Sequence, residues 1–259
     1  NAIHSSIAAL ALEANVSEPT VNRFCRSMDT RGFPDFKLHL AQSLANGTPY
    51  VNRNVNEDDS VESYTGKIFE SAMATLDHVR HSLDKSAINR AVDLLTQAKK
   101  IAFFGLGSSA AVAHDAMNKF FRFNVPVVYS DDIVLQRMSC MNCSDGDVVV
   151  LISHTGRTKN LVELAQLARE NDAMVIALTS AGTPLAREAT LAITLDVPED
   201  TDIYMPMVSR LAQLTVIDVL ATGFTLRRGT KFRDNLKRVK EALKESRFDK
   251  QLLNLSDDR

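Results

Sequence analysis

A hydroxyl-rich segment follows a short apolar run near the middle of the 259-residue chain, at residues 147–158 (DVVVLISHTGRT). The apolar run Val148 to Ile152 has the length of a buried strand, and apolar residues at helical spacing resume after residue 158. A strand that turns directly into a helix aims backbone N–H groups and the positive end of the helix dipole at one point, which is a site for an anion. The segment is therefore predicted to bind a phosphate, and the predicted contacts are Ser153, His154, Thr155 and Thr158.

A second loop of this kind follows an earlier apolar run, at residues 105–110 (GLGSSA). It fits the dinucleotide pattern G-x-G-x-x-G/A, and Asp131 occupies the place of the acidic residue that contacts a ribose, so an NAD(P)-binding domain is one alternative. That alternative leaves residues 153–158 without a role. The other interpretation is one phosphate held from both sides, with Gly107, Ser108 and Ser109 on the first loop. A further alternative is that the serines only cap helices. Neither loop carries the Gly-Lys-Ser/Thr of nucleoside triphosphate hydrolases.

Strand and helix signals alternate from residue 100 onward, which predicts an α/β domain. Helices are predicted at 109–123, 132–141 and 207–224, and strands at 101–104, 125–129, 148–152, 174–179 and 191–195. Such alternation is typical of a five-stranded parallel sheet between two helix layers. Ligands of these sheets bind at the carboxyl ends of the strands, where both loops lie.

The first 45 residues predict two short helices joined by a tight turn, which is the pattern of a helix-turn-helix. In the second helix Val21, Phe24, Cys25 and Met28 follow helical spacing and are predicted to form one buried stripe, with Cys25 as a core thiol. The opposite face would enter the DNA major groove. The predicted DNA contacts are Ser17, Thr20, Asn22, Arg23 and Arg26.

The predicted organisation has five parts. They are a helix-turn-helix domain at 1–45, a linker at 46–63, two connecting helices at 64–98, the α/β domain at 99–230, and a basic helix and tail at 231–259. The chain begins at Asn1, and the helix-turn-helix is expected to be truncated at its N-terminus. Residues 227–250 hold ten Lys and Arg against four Asp and Glu, so the last helix is predicted to be solvated.

Composition excludes several classes of protein. The net charge of −2 argues against strong non-specific binding to nucleic acid or membranes, and no apolar run is long enough to cross a bilayer. Three cysteines argue against a disulfide framework and for a cytoplasmic protein. Cys140 and Cys143 form a C-x-x-C without a second ligand pair, so no metal and no cofactor are predicted.

Two groups of motifs resemble known families. ANVSEPTVNRFCRSM with GFPDFKLHLAQ resembles the helix-turn-helix of the RpiR family of bacterial sugar-metabolism regulators. FGLGSSAAVAHD with ISHTGRTKNLVELA resembles the sugar-isomerase (SIS) domain, whose phosphate-binding hydroxyls match Ser109, Ser153, Thr155 and Thr158. In SIS enzymes the second motif reads S-x-S-G-E-T, and here Thr155 and Arg157 replace the second serine and the glutamate.

The resemblance implies a repressor of sugar and central carbon metabolism, including the Entner–Doudoroff pathway. It implies a homodimer on a palindromic operator and a phosphorylated sugar acid such as 2-keto-3-deoxy-6-phosphogluconate as effector, whose carboxylate Arg157 would contact. A phosphosugar isomerase is the other alternative, and it needs a general base near the substrate. His154 and Glu199 are the only candidates near the strand ends, and with Arg157 in place of the glutamate the chain is predicted not to be an enzyme.

Overall fold

The computed structural model describes residues 5–28, 30–37, 54–199 and 205–242. The chain divides into two compact units. One takes in Asn1–Ser71 and Asp200–Met205, and the other takes in Ala72–Glu199 and Pro206–Arg259.

The N-terminal unit begins with two short helices, α1 (Ile7–Glu13) and α2 (Glu18–Ser27). Ser6 caps α1 by accepting a 3.1 Å hydrogen bond from the N–H of Ala9. Asn15 takes a left-handed conformation (φ 53°) in the turn between the helices. The small core of this part comprises Ala11, Val21, Cys25 and Phe33, the last at the start of a helical turn at 33–37.

The predicted buried stripe of α2 is only half correct. Val21 and Cys25 are buried, and Cys25 is a core thiol as predicted. Phe24 and Met28 are each 55% exposed, however. The reason is geometric, because a helix as short as α1 covers only a narrow strip of its neighbour, and Phe24 contacts the ring of Phe36 instead, edge to face at 6.1 Å.

Two longer helices follow, α3 (Val61–Ser82) and α4 (Lys85–Gln97). The predicted linker at 46–63 is thus too long by three residues, and its part at 46–53 lies outside the described residues. The boundary between the two units falls within α3, after Ser71. In the second unit Val79 of α3 is buried, and Ala91, Val92 and Leu95 form the buried face of α4.

The second unit contains a five-stranded sheet, and every strand pair in it is parallel. The strands are β1 (Lys100–Gly105), β2 (Val127–Tyr129), β3 (Asp147–Ile152), β4 (Met174–Thr179) and β5 (Leu191–Thr194), in the spatial order β2-β1-β3-β4-β5. The helices between and after them are α5 (Ser108–Phe120, extended by a 3₁₀ turn at Phe121–Phe123), α6 (Ile133–Met141), α7 (Lys159–Glu170), α8 (Pro184–Glu188) and α9 (Val208–Ala242). The predicted α/β class with a five-stranded parallel sheet is confirmed.

The sheet separates two apolar cores because successive residues of a strand point to opposite faces. Phe103 of β1 belongs to the core that includes residues of α4, α5 and α9, whereas Phe104 belongs to the core that includes residues of α6, α7 and α8. The helix after β1 and the helix after β3 therefore lie on opposite faces. The point between these two neighbouring strands is the topological switch point of the sheet, where ligands of open α/β sheets bind.

The last helix is longer than predicted. It runs to Ala242 with a break in helical geometry at Gly229 (φ 78°). The prediction of a solvated helix beyond residue 231 is wrong for its first part, because Phe232 and Leu236 pack against the core of the sheet. The ring of Phe232 lies 5.7 and 5.8 Å from those of Phe123 and Phe224, and residues 243–259 lie outside the described residues.

Candidate functional site

The first predicted loop joins the end of β1 to the start of α5. A side chain at Gly105 would place its Cβ 2.5 Å from the carbonyl oxygen of Ser109, so only glycine lets the helix begin this close to the strand. Gly107 follows in a left-handed conformation (φ 58°) and is the N-cap residue of α5, with no side chain to cap the helix. Ser108 and Ser109 form the first turn, and Ser109 is buried. The loop therefore presents an uncapped helix N-terminus.

The second predicted loop joins β3 to α7. The hydroxyl of Ser153, which is buried, accepts a 3.2 Å hydrogen bond from the N–H of Gly156. The hydroxyl of Thr155 lies 3.4 Å from the N–H of Arg157, and Thr158 is the N-cap residue of α7 without a side-chain capping bond. The loop therefore ends, like the first, at a helix N-terminus that no side chain caps.

The two loops leave the sheet side by side. Gly105 and Ile152, the last residues of β1 and β3, are register partners, so both loops start from neighbouring strands at the switch point. Helices α5 and α7 then run to opposite faces of the sheet. Two helix dipoles and two first turns without a side-chain cap thus meet at one crevice, an arrangement that suits an anion such as a phosphate.

His154 and Glu199, the two candidate bases of the isomerase alternative, both have structural partners. The Nε2 atom of His154 lies 3.1 Å from the carbonyl oxygen of Glu199. The carboxylate of Glu199 accepts hydrogen bonds from the backbone N–H groups of residues 207, 208 and 209 at 2.7, 2.9 and 3.1 Å, and from the hydroxyl of Ser209. Glu199 is therefore the N-terminal cap of α9, a role that sequence reasoning missed.

The dinucleotide alternative does not fit the strand order. The sheet has the order β2-β1-β3-β4-β5 of the flavodoxin-like fold, and the dinucleotide-binding fold has the order 3-2-1-4-5-6. Asp131, the predicted ribose contact, is exposed beyond the end of β2. Arg157, beside the second loop, is also exposed.

Gln136 of α6 is a second residue near the loops that sequence reasoning missed. It is fully buried, and its Nε2 donates to the carbonyl oxygens of Ser130 at 2.7 Å and Gly105 at 3.4 Å. The amide thereby ties the end of β1 to the segment after β2. The only signal in the sequence is a polar pair, Gln136 and Arg137, inside the otherwise apolar run IVLQRM.

The predicted DNA-contact residues lie at the start and along one side of α2. The hydroxyls of Ser17 and Thr20 are 2.9 Å apart, and Arg23 donates to the hydroxyl of Thr20 at 3.3 Å. Arg23 and Arg26 are exposed. Asn22 differs from the prediction, because its Oδ1 accepts a 3.0 Å hydrogen bond from the N–H of Phe33. Its side chain is half-buried and contacts the segment after α2.

Comparison with known proteins identifies both parts of the chain. The SIS domain family matches residues 94–223, and the helix-turn-helix domain of the rpiR family matches residues 1–47. Over its whole length the chain is 99% identical to the HTH-type transcriptional regulator HexR of Escherichia coli (strain K12), of which it covers 90%. The chain belongs to the RpiR family of transcriptional regulators.

Two further proteins match at lower identity. The HTH-type transcriptional regulator HexR of Pseudomonas aeruginosa is 58% identical over 94% of this chain and 85% of its own length. The Vibrio vulnificus NanR protein, solved in complex with ManNAc-6P, matches with a TM-score of 0.65 and 24% identity over 95% of this chain and 88% of its own. The latter match shows a shared fold.

The C-x-x-C of this RpiR-family chain lies at the end of α6. Burial raises the pKa of the Cys140 thiol to about 12, and it also raises the pKa of Cys143, which is half-buried. Within the described ranges no group of three or more His, Cys, Asp or Glu side chains is placed to hold a metal ion. Among the described helices, none combines the length and the apolar content needed to cross a bilayer.

Proposed function

We propose that this RpiR-family regulator is a repressor of genes of sugar and central carbon metabolism, including the Entner–Doudoroff pathway. It binds a palindromic operator as a homodimer through the exposed side of α2. Its effector is a phosphorylated sugar acid such as 2-keto-3-deoxy-6-phosphogluconate, bound in the SIS domain. The proposed phosphate contacts are Gly107, Ser108, Ser109, Ser153, His154, Thr155 and Thr158.

The observation that carries the proposal is the pair of uncapped helix N-termini at the switch point, which start from the register partners Gly105 and Ile152. Neither loop contains a lysine. Backbone N–H groups, hydroxyls and helix dipoles suit a small phosphomonoester, which needs fewer compensating charges than a triphosphate. The sugar phosphate in the NanR complex supports the same class of ligand.

Arg157 supports an acidic effector over a neutral sugar phosphate. It occupies the position at which the SIS enzyme motif carries a glutamate, so the charge next to the second loop changes from negative to positive. A guanidinium binds a carboxylate with two parallel hydrogen bonds. We therefore assign Arg157 to the carboxylate of the effector.

We infer that the chain is not an isomerase, because His154 and Glu199 both have structural partners. A general base must be within hydrogen-bond reach of the proton that it removes. The Glu199 carboxylate accepts from three backbone N–H groups at the start of α9, and the His154 ring is held at the Glu199 carbonyl. Both groups therefore stabilise the fold around the second loop.

Regulation requires that the effector favour one state of the DNA-binding protein over another. An effector can shift such an equilibrium only by its differential affinity for the two states. The coupling free energy between two sites of an allosteric protein is roughly 1–3 kcal/mol. For an effector and an operator, this corresponds to a change in operator affinity of about 5- to 150-fold.

A thermal-shift screen of the full chain tests the proposal. The panel holds 2-keto-3-deoxy-6-phosphogluconate, glucose 6-phosphate, inorganic phosphate, NAD and NADP, and each sugar phosphate is also assayed for turnover. We expect the largest increase in Tm with the phosphorylated sugar acid, because it engages the loops and Arg157 together. Stabilisation by a dinucleotide alone, or turnover of a sugar phosphate, would overturn the proposal.

A further inference from the structure

Gln136 is a buried amide next to the first phosphate loop, and its orientation is fixed by its partners. Its Nε2 donates to two carbonyl oxygens, of Ser130 at 2.7 Å and of Gly105 at 3.4 Å. The reversed orientation would set the amide oxygen against both carbonyls with no proton between them, so the assignment of the two amide atoms follows from the contacts.

The Oε1 atom of Gln136 has no hydrogen-bond donor among the described residues, and the residue is 0% exposed. A buried acceptor without a donor is unfavourable, and such groups in folded proteins usually acquire a partner from a ligand or an ordered water. Most apolar residues would fill the same space at lower cost. The amide therefore keeps one buried acceptor that no described residue of the protein satisfies.

Gln136 lies next to the start of the first loop. Gly105, which Gln136 contacts, is the residue from which the first loop leaves the sheet. Gln136 belongs to α6, which packs on the same face of the sheet as α7. Helix α7 begins at the second loop. One residue along α6, Arg137 forms an exposed ion pair with Glu163 of α7 at 2.7 Å.

We propose that Gln136 is a specificity-determining residue of the effector site, whose Oε1 accepts a hydrogen bond from a hydroxyl of the bound sugar moiety. This inference rests on the proposed function, since it needs a phosphorylated ligand in the crevice. The phosphate and the carboxylate of a sugar acid are acceptors at neutral pH, so its hydroxyls supply the donor. Gln136 therefore distinguishes a hydroxylated ligand from phosphate alone.

The test compares two probes on the full chain, inorganic phosphate and 2-keto-3-deoxy-6-phosphogluconate, by isothermal titration calorimetry. Gln136→Met keeps the length of the side chain and removes both polar atoms. We expect the Kd for the sugar acid to rise roughly tenfold or more and the Kd for phosphate to change less than about twofold. Gln166→Met makes the same chemical change at an exposed position of α7 and should leave both Kd values unchanged.

A second measurement does not depend on the folding of a variant. Wild-type protein is titrated with the 4-deoxy and 5-deoxy analogues of the sugar acid, and at least one should bind about tenfold more weakly. In a correctly folded Gln136→Met variant, that same analogue should bind as well as the parent compound.

Different results would reject the role of Gln136 and the proposed function. Equal binding of the sugar acid to wild type and Gln136→Met, or full affinity for both deoxy analogues, would overturn the role of Gln136 and leave the proposed function standing. Wild-type protein that binds neither phosphate nor the sugar acid would overturn both. Equal losses of phosphate and sugar-acid affinity in Gln136→Met would show that the amide only supports the first loop, which also overturns the proposal.

Discussion

The imidazole Nε2 of His154 lies 3.1 Å from the carbonyl oxygen of Glu199, and this contact joins the second phosphate loop to the start of α9. Glu199 in turn caps α9 with its carboxylate. A residue of the ligand loop and the cap of the longest helix of the domain are thus directly connected. Both side chains therefore have structural partners at the start of α9.

Glu199→Ala should lower the free energy of unfolding of the protein by about 1–2 kcal/mol, because the start of α9 loses its capping acceptor and a negative charge at the helix dipole. Urea unfolding followed by circular dichroism measures the change. Glu199→Gln keeps one acceptor oxygen but loses the other acceptor and the charge, so its loss should be smaller than that of the alanine variant. An alanine variant within about 0.5 kcal/mol of wild type would show that the cap contributes nothing in solution.

Gly156→Ala should destabilise the second loop for two reasons. The residue is left-handed (φ 58°), and a Cβ there would lie 2.5 Å from the hydroxyl oxygen of Thr179 and clash with Thr183. Gly182 is also left-handed (φ 71°), but a Cβ there would meet nothing within 4 Å. Gly182→Ala should cost about 1 kcal/mol, and Gly156→Ala a further 1–3 kcal/mol, about the cost of overpacking.

Effector titration of these two glycine variants completes the comparison. Gly156→Ala should weaken binding of the sugar phosphate, because the loop N–H groups shift, while Gly182→Ala should retain it. Equal stability and equal effector affinity of the two variants would contradict the observed packing of Gly156 against the threonines.

Arg23→Ala should weaken operator binding about tenfold or more, since Arg23 is exposed on the predicted DNA-binding side of α2. Its affinity for the effector should not change. Arg90→Ala removes the same charge from an exposed position on α4 and serves as the control. Fluorescence anisotropy with a labelled operator duplex measures both variants, and equal affinities would exclude Arg23 from the interface.

The thiols should react slowly in the native protein at pH 8, because burial raises the pKa values of Cys25, Cys140 and Cys143. The raised pKa of Cys140, about 12 against 9.0 for the ordinary thiol, also makes stability depend on pH. The protonated thiol is favoured in the folded state, so this contribution is complete below pH 9.0 and is lost as pH rises towards 12, by at most about 1.4 kcal/mol per pH unit.

Two measurements test the behaviour of the thiols. A thiol-specific disulfide reagent should label all three cysteines rapidly only after unfolding in urea. Unfolding free energies at pH 8 and pH 10 should differ less for Cys140→Ala than for wild type. Rapid labelling of native protein at pH 8 would indicate a reactive thiol pair instead.

The sequence predicts the strands well because apolar runs bounded by polar turns mark them directly, and each predicted strand end lies within two residues of the observed one. Periodicity fails where burial depends on a distant neighbour. Phe24 and Cys25 both fit the helical spacing of the predicted buried stripe, but α1 covers only Cys25. Phe232 lies in a basic segment, and its ring nevertheless packs against that of Phe224. These outcomes depend on tertiary contacts.

The candidate site is likewise predictable from the sequence only in part. The loops at 105–110 and 153–158 are visible in the sequence because glycine and hydroxyl residues follow strands, and the parallel sheet places them side by side. The cap formed by Glu199 spans eight to ten residues, and the contact from Gln136 to Gly105 spans 31. No local pattern encodes such contacts.

The most direct test of the account is the response of operator binding to the effector in a variant of both phosphate loops. The operator is a duplex selected by the wild-type protein from a random pool, and its affinity is measured by anisotropy with and without 2-keto-3-deoxy-6-phosphogluconate. For wild type, the effector should change the operator Kd at least about fivefold. The double variant Ser109→Ala, Ser153→Ala should bind the operator like wild type and lose this response, whereas a full response in the double variant would contradict the assignment of the two loops as the effector site.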